Sequence, residues 1–195
     1  MLRHDPFVPY DVSVCGIPEL ADYRTAGVSH VLSILDPEAP EPDAFGAFGE
    51  HTRLELRFHD VIDEQDGQVA PSRDDIAALL AFGEDLLRAP REDAHLLVHC
   101  HAGISRSTAA LTLLLAQARP DRPAAEALAR VVRVRPLAWP NLRVVELGDD
   151  LLGRRGEIVA AVRAHYRAVV AARPEVAHVM RLGGRGREVT GLDAD

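Results

Sequence analysis

Residues 97–108 read LVHCHAGISRST and contain the clearest structural signal in the sequence. It begins inside an apolar run, His95–Cys100, that is typical of a buried strand. It ends where residues 107–118 become apolar on nearly every side, as in a buried helix. Gly103 supplies the backbone freedom that a tight turn between them needs. Because such a turn aims successive backbone N–H groups at one concavity, an anion-binding loop is expected here.

The flanking segments predict further strands and helices in alternation. Predicted strands cover residues 12–17, 28–35, 54–58 and 95–100, and predicted helices follow Ser72, Arg106, Pro123, Asn141 and Gly156. This alternation indicates an α/β fold, with a central, mostly parallel sheet of four to five strands flanked by helices.

One domain is expected over residues 1–172, because a chain of this length can bury a core without disulfide bonds. Residues 36–51 contain three prolines and five acidic residues, which predicts a surface excursion with a single helical turn. After Arg173 and Pro174 the sequence becomes rich in glycine and arginine. That change predicts a poorly ordered tail over residues 173–195.

The composition argues against several classes of protein. A net charge of −8 argues against general nucleic-acid binding, and no run of 18 apolar residues predicts a membrane span. The N-terminal MLRHDPFVPYDV lacks the apolar core of a signal peptide, and two cysteines are too few for a disulfide framework. A cytoplasmic protein is therefore expected. All 22 basic residues are arginine, which indicates a GC-rich, bacterial genome.

The loop after His95–Cys100 has the chemistry of a nucleophile inside an anion site. The backbone N–H groups, the helix N terminus and Arg106 all favour the thiolate form of Cys100. Arg106 offers a planar fork that can bind two phosphoryl oxygens at once. A thiolate held in such a site is a nucleophile directed at phosphorus.

The pattern His-Cys-x-x-Gly-x-x-Arg-Ser, here His99, Cys100, Gly103, Arg106 and Ser107, resembles the signature of the cysteine-dependent protein-tyrosine phosphatases. The segments CGIPEL, AGVSHVLSIL and RPLAWPN extend the resemblance to the dual-specificity branch over roughly residues 10–150. The resemblance implies a phosphatase-type fold with a strand, a phosphate loop and a helix. It also implies hydrolysis of phosphate monoesters through a cysteinyl-phosphate intermediate, without metal or cofactor.

Individual roles follow from the resemblance. Cys100 resembles the nucleophile, Arg106 the phosphate clamp, and Ser107 the hydroxyl that assists departure of the thiolate. His99 resembles a buried support of the loop. Asn141 resembles an asparagine that braces the loop from behind, and it also fits a plain helix N-cap. The residues that resemble the backbone phosphate ligands are His101, Ala102, Gly103, Ile104 and Ser105, together with Arg106.

The general acid is open between three aspartates. Members of this family carry an aspartate on a loop before the preceding helix, and one carboxyl can act first as acid and then as base. Asp60 follows the strand directly, as the family pattern requires, and is the first choice. Asp63 is the second choice and Asp66 the third, since all three fall in one loop.

The expected substrate is a phosphorylated protein carrying phosphotyrosine, and also phosphoserine or phosphothreonine. One alternative is a phosphatase of inositol phosphates, phosphoinositides or RNA 5′ phosphates, which the lack of lysine in the loop disfavours. Another is a phosphate-binding pseudophosphatase without turnover, which intact Cys100, Arg106 and Ser107 disfavour. The spacing of His95, His99 and His101 does not fit a zinc site, and Cys15 fits a small core residue.

Overall fold

Four parallel strands form the central sheet of the computed structural model, which describes residues 7–88 and 93–192. The strands are β1 (Asp11–Gly16), β2 (His30–Leu35), β3 (Thr52–Arg57) and β4 (His95–Cys100). They lie in the order β1-β4-β2-β3, and every neighbouring pair is parallel. The predicted α/β fold with a mostly parallel sheet of four to five strands is confirmed.

Within the described residues, seven α-helices and two short 3-10 helices surround this sheet. The α-helices are α1 (Arg73–Arg88), α2 (Arg106–Ala118), α3 (Ala124–Val134), α4 (Leu142–Leu151), α5 (Glu157–Ala172), α6 (Glu175–Leu182) and α7 (Gly186–Val189). The 3-10 helices are Ile17–Tyr23 and Asp43–Ala47, the second of which is the helical turn expected in residues 36–51.

Successive side chains of each strand point to opposite faces of the sheet. Both faces are buried, because each packs against its own hydrophobic core. On β4, Leu96 and Val98 pack into the large core beneath the helices. Leu97 faces the other way, into a smaller core closed by the 3-10 helices, where it meets Cys15 of β1 and Phe45. Helix α2 is buried almost throughout and packs against α1, α3 and α4, as its apolar sequence predicted.

The parallel arrangement gathers the carboxyl ends of the strands at one edge of the sheet. Gly16 at the end of β1 pairs with Cys100 at the end of β4. Asp36 directly follows β2, and the loop that begins at Phe58 directly follows β3. Crevices outside the carboxyl ends of parallel strands are where open α/β sheets bind ligands.

The segment of residues 175–192, called here the C-terminal segment, differs from the expected poorly ordered tail. It contains helices α6 and α7, and Ala177, Glu188 and Val189 are buried against the body of the protein. Its order comes from contacts with distant parts of the chain, which glycine and arginine content does not reveal. Residues 1–6 and 193–195, at the ends of the predicted domain and tail, lie outside the described residues.

Candidate active site

The loop of residues 101–105, called the β4–α2 loop, turns its five carbonyl oxygens away from its centre. Each accepts a hydrogen bond from outside the loop: His101 O from Ile17 N, Ala102 O and Gly103 O from the Arg135 guanidinium, Ile104 O from Trp139 N, and Ser105 O from Asn141 N, at 2.9–3.3 Å. In a trans peptide the N–H points opposite to the carbonyl. The N–H groups of residues 102–106 therefore face the interior of the loop and form a concavity suited to an anion.

Gly103 lets this loop lie directly on the backbone of β1. Its φ of +69° is in the left-handed region. A Cβ atom at this position would lie 2.7 Å from Gly16 N and closer still to the carbonyl carbon of Cys15. Only glycine fits so close to another backbone.

The Arg135 guanidinium braces the loop from its outer side. Besides binding the two loop carbonyls, it donates to Glu19 at 2.8 Å, and the same carboxylate accepts from Gly16 N at 2.6 Å. From the sequence, Arg135 is predicted only as part of the RPLAWPN resemblance. Its contact with the loop could not be predicted, because it depends on the three-dimensional fold.

Cys100 lies at the base of the concavity, with its side chain next to that of Ser107. The thiol is at the end of β4 and only 2% of the residue is exposed. Its Sγ atom lies 3.2 Å from Ser107 Oγ, which belongs to the first turn of α2. The N terminus of this helix favours negative charge nearby.

Arg106 is buried and held from one side. Its Nη1 donates to Asp36 Oδ1 and to the carbonyl oxygen of Phe58, both at 2.6 Å. Its Nε is buried and has no hydrogen-bond partner among the described residues. Asp36 is not among the predicted site residues. A carboxylate in an acidic surface stretch gives no sign that it pairs with a residue 70 positions away.

Asp60 is the aspartate that the structure brings to the β4–α2 loop. Its Oδ1 accepts hydrogen bonds from Ser105 Oγ at 2.7 Å and from Asn141 Nδ2 at 2.8 Å. Its Oδ2 lies 3.3 Å from Nη1 of Arg185. One third of the Asp60 side chain, 33%, remains exposed.

Asp63 and Asp66 lie away from this centre. Asp63 pairs with Arg187 at 3.0 Å and its side chain is 53% exposed. Asp66 is exposed on the same loop. Of the three candidates for the acid, Asp60 alone forms a hydrogen bond to the β4–α2 loop within the described structure.

Asn141 has both of the arrangements that the sequence suggested. Its Oδ1 accepts from Val144 N at 3.0 Å and so caps α4. Its Nδ2 donates to Asp60, and its backbone N–H donates to Ser105 O. One side chain thus ties the start of α4 to the loop that carries Asp60.

The histidines on either side of Cys100 have different surroundings. His99 is fully buried beside Phe45, neither ring nitrogen has a partner among the described residues, and burial lowers its pKa to about 4. His101 is half-exposed, and its Nε2 accepts from the backbone N–H of Asp36 at 3.2 Å. His99 is therefore neutral at pH 7.

Cys15 is a buried, free cysteine of the smaller core. Burial, together with the nearby Glu19 carboxylate, raises its pKa to about 12, so its thiol is neutral. This placement agrees with the core role that its position in a strand predicted.

Two residues of the C-terminal segment reach the site although no sequence pattern predicts such a role for them. Arg185 contacts Asp60 and Ser105, and Glu188 is fully buried beneath it. The only signal was an alternation of arginine with glycine, which by itself indicates a solvated tail.

Comparison with known proteins rests on structure. No protein-family model matches the chain, and no curated protein matches it either. Human DUSP28 is 21% identical, with a TM-score of 0.56 over 78% of this chain and 92% of that one. This chain has the same phosphatase fold. Tk-PTP in its active form (23% identical, TM-score 0.51, 78% of this chain and 95% of that one) has this phosphatase fold too. PTPMT1 in complex with PI(5)P shares it as well (16% identical, TM-score 0.51, 77% of this chain and 93% of that one).

Within residues 7–88 and 93–192, no cluster of three or more histidine, cysteine, aspartate or glutamate side chains is arranged to bind a metal ion. Over the same ranges, no helix is both long and apolar enough to cross a membrane.

Proposed function

We propose that this protein hydrolyses phosphate monoesters through a cysteinyl-phosphate intermediate, with Cys100 as the nucleophile. The observation that carries the proposal is the β4–α2 loop, with five carbonyls turned outward around a buried cysteine. Such a loop stabilises a dianionic phosphoryl group and a thiolate by the same N–H groups. The phosphatase fold supports this proposal.

Arg106 is proposed to clamp the phosphoryl group. Its Nη1 is fixed by Asp36 and Phe58, while Nε is buried without a partner in the described part of the chain. A buried N–H without a partner is costly, and a phosphoryl oxygen would supply the missing acceptor. Asp36 is then a positioning residue that sets the plane of the guanidinium.

The proposed first step transfers the phosphoryl group to sulfur. The Cys100 thiolate forms an S–P bond, the P–O bond to the leaving group breaks, and Asp60 gives its proton to the departing oxygen. In the second step a water oxygen attacks phosphorus and Asp60 takes the water proton. The S–P bond then breaks, and Ser107, 3.2 Å from Sγ, donates a hydrogen bond to the departing thiolate.

The proposed substrate is a phosphorylated protein carrying phosphotyrosine, with phosphoserine or phosphothreonine as further targets. The fold shared with dual-specificity phosphatases such as human DUSP28 supports this choice. A phosphoinositide is the second candidate, supported by the shared fold of PTPMT1, whose structure contains PI(5)P. Against it stand a net charge of −8 and a loop whose variable side chains, His101, Ala102, Ile104 and Ser105, include no lysine or arginine.

The experiment measures phosphate release from p-nitrophenyl phosphate, phosphotyrosine and phosphoserine peptides, and PI(5)P. Wild type should act on p-nitrophenyl phosphate and the phosphotyrosine peptide, with EDTA present, and should stop with vanadate. Cys100→Ser should abolish turnover but still bind the phosphopeptide, and Arg106→Lys should lose nearly as much, because a point charge cannot replace the fork.

Cys15→Ala is the matched control, since it removes the other cysteine and should stay active. Turnover by Cys100→Ser above a few per cent of wild type would exclude the cysteinyl-phosphate route. Phosphopeptide binding without turnover by wild type would instead indicate a pseudophosphatase, and preference for PI(5)P would establish the second candidate.

A further inference from the structure

The Arg185 side chain joins the C-terminal segment to the β4–α2 loop and to the loop that carries Asp60. Its Nη1 donates to Ser105 Oγ at 2.9 Å and lies 3.3 Å from Asp60 Oδ2. Only 12% of the side chain is exposed. The guanidinium therefore bridges the proposed acid and the β4–α2 loop.

Glu188 fixes the orientation of this guanidinium. It accepts from Arg185 Nε at 2.9 Å and from Nη2 at 2.7 Å, which is the bidentate geometry that sets the plane of an arginine. The fully buried carboxylate also accepts from Trp139 Nε1 at 2.6 Å and from Leu142 N at 3.1 Å. Arg185 is thus held by a carboxylate that is itself held by Trp139, which precedes α4, and by Leu142, the first residue of α4.

The surroundings of Arg185 keep its charge in place. Burial alone would lower its pKa, but Asp60 and Glu188 outweigh burial and the pKa is raised. A buried ion pair is a weak source of stability, because desolvation offsets most of the attraction. Its position beside Asp60 therefore suggests a role in geometry.

We propose that Arg185 is a positioning residue for the reaction, one that holds the Asp60 carboxylate against the β4–α2 loop. Ser105 and Asn141 bind Oδ1, and Arg185 is the cation that faces Oδ2. With Oδ1 and Oδ2 both contacted, the Asp60 carboxyl group has one orientation, and without Arg185 it can rotate away from the leaving oxygen that it protonates. This inference rests on the proposed function, with Asp60 as acid.

Arg187 provides a matched control from the same segment. It donates to Glu146 at 2.6 Å, to Asp63 at 3.0 Å and to the carbonyl oxygen of Ile62 at 2.8 Å. Its removal therefore breaks a comparable set of contacts, two with the loop that carries Asp60 and one with α4. Those contacts do not include Asp60.

The test compares kcat/KM for phenyl phosphate, a poor leaving group, with kcat/KM for p-nitrophenyl phosphate. Both substrates are measured on one sample, so the ratio does not depend on the fraction of folded protein. Arg185→Ala should lower the phenyl to p-nitrophenyl ratio about 10-fold, because only the poor leaving group needs a well-placed proton. Arg187→Ala should leave the ratio unchanged.

A double variant separates positioning from general damage. If Arg185 acts through Asp60, Arg185→Ala should not lower the ratio further in an Asp60→Asn background. An unchanged ratio in Arg185→Ala, or an equal fall in Arg187→Ala, would overturn the inference. If the alanine variant does not fold, Arg185→Gln takes the same test. Failure of the proposed function would look different, since wild type would then lack hydrolysis that depends on Cys100.

Discussion

At the scale of single residues, Asp60 and Asp63 lie three positions apart and have different neighbours. Both face an arginine of the C-terminal segment. Asp60 also contacts Ser105 of the β4–α2 loop, whereas Asp63 is more than half exposed. The three-residue separation is enough to place one carboxylate at the site and the other at the surface.

Asp60→Asn should lower kcat on phosphotyrosine by about 10²–10³-fold, the lower part of the roughly 10²–10⁴-fold that general acid catalysis usually contributes. The loss should shrink on p-nitrophenyl phosphate, whose leaving group needs little protonation. Steady-state kinetics on the two substrates measures both effects.

Asp63→Asn is the paired variant and should leave the rate on both substrates unaltered. A loss that depends on the leaving group in Asp63→Asn, and not in Asp60→Asn, would move the acid three residues along the loop. If neither variant shows it, Asp66 is the next residue to change.

The residues proposed as nucleophile, clamp and acid could be selected from the sequence because their signals are local, and their roles stay predictions. Cys100, Arg106 and Ser107 fall within eight residues of sequence, and Asp60 directly follows an alternating strand. Asp36 and Arg185 could not be predicted, since each acts on a partner at least 70 positions away. The spacing of residues within one loop predicts the chemistry of that loop. It does not predict which distant residues pack around the loop.

At the scale of elements, the contact between the β4–α2 loop and β1 determines how close the site lies to the sheet. Gly103 has a left-handed φ and no room for a Cβ beside Cys15 and Gly16. Gly27 has nearly the same φ, +67°, but nothing lies within 4 Å of its Cβ position. A comparison of alanine substitutions at the two glycines therefore separates the cost of backbone strain from the cost of steric overlap.

Gly103→Ala should lower the free energy of unfolding by about 3 kcal/mol, from left-handed strain plus overlap with backbone that cannot move aside. Gly27→Ala should lose only the strain, about 1 kcal/mol. Urea unfolding measures both. Equal losses would show that the loop has room above β1, and turnover should fall in the Gly103 variant alone.

The C-terminal segment shows where element prediction fails. Its composition, RLGGRGRE after residue 180, resembles a solvated tail, and no local pattern opposes that interpretation. What orders it is the fully buried Glu188, bound by Trp139, Leu142 and Arg185. The strand β4 and the helix α2 were predicted well because their apolar sequences need no particular partner.

At the scale of the whole molecule, the sheet buries a histidine that must remain neutral. His99 lies on β4 in the middle of the fold, and burial lowers its pKa from 6.5 to about 4. Below pH 6.5 the unfolded chain therefore binds a proton at His99, whereas the folded protein does not bind it until the pH falls to about 4. Stability from this residue is fully present above pH 6.5 and is lost as the pH falls toward 4.

Between pH 7 and pH 5, His99 should reduce the free energy of unfolding by about 2 kcal/mol, which is the linkage expected for a shift of this size. His99→Gln lacks the titration, so its stability should depend less on pH by that amount. Urea midpoints at the two pH values give the comparison. Parallel pH dependence of the two proteins would mean that His99 can be protonated in the folded state.

The Asp60 carboxylate meets partners that are 45, 81 and 125 positions away along the chain, namely Ser105, Asn141 and Arg185. Contacts over such separations form slowly, because large chain loops must close before any of them is made. The centre is therefore expected to form at the latest stage of folding. We expect a refolding chain to regain its helical signal first, and to regain the proposed phosphatase activity only after these distant contacts have formed.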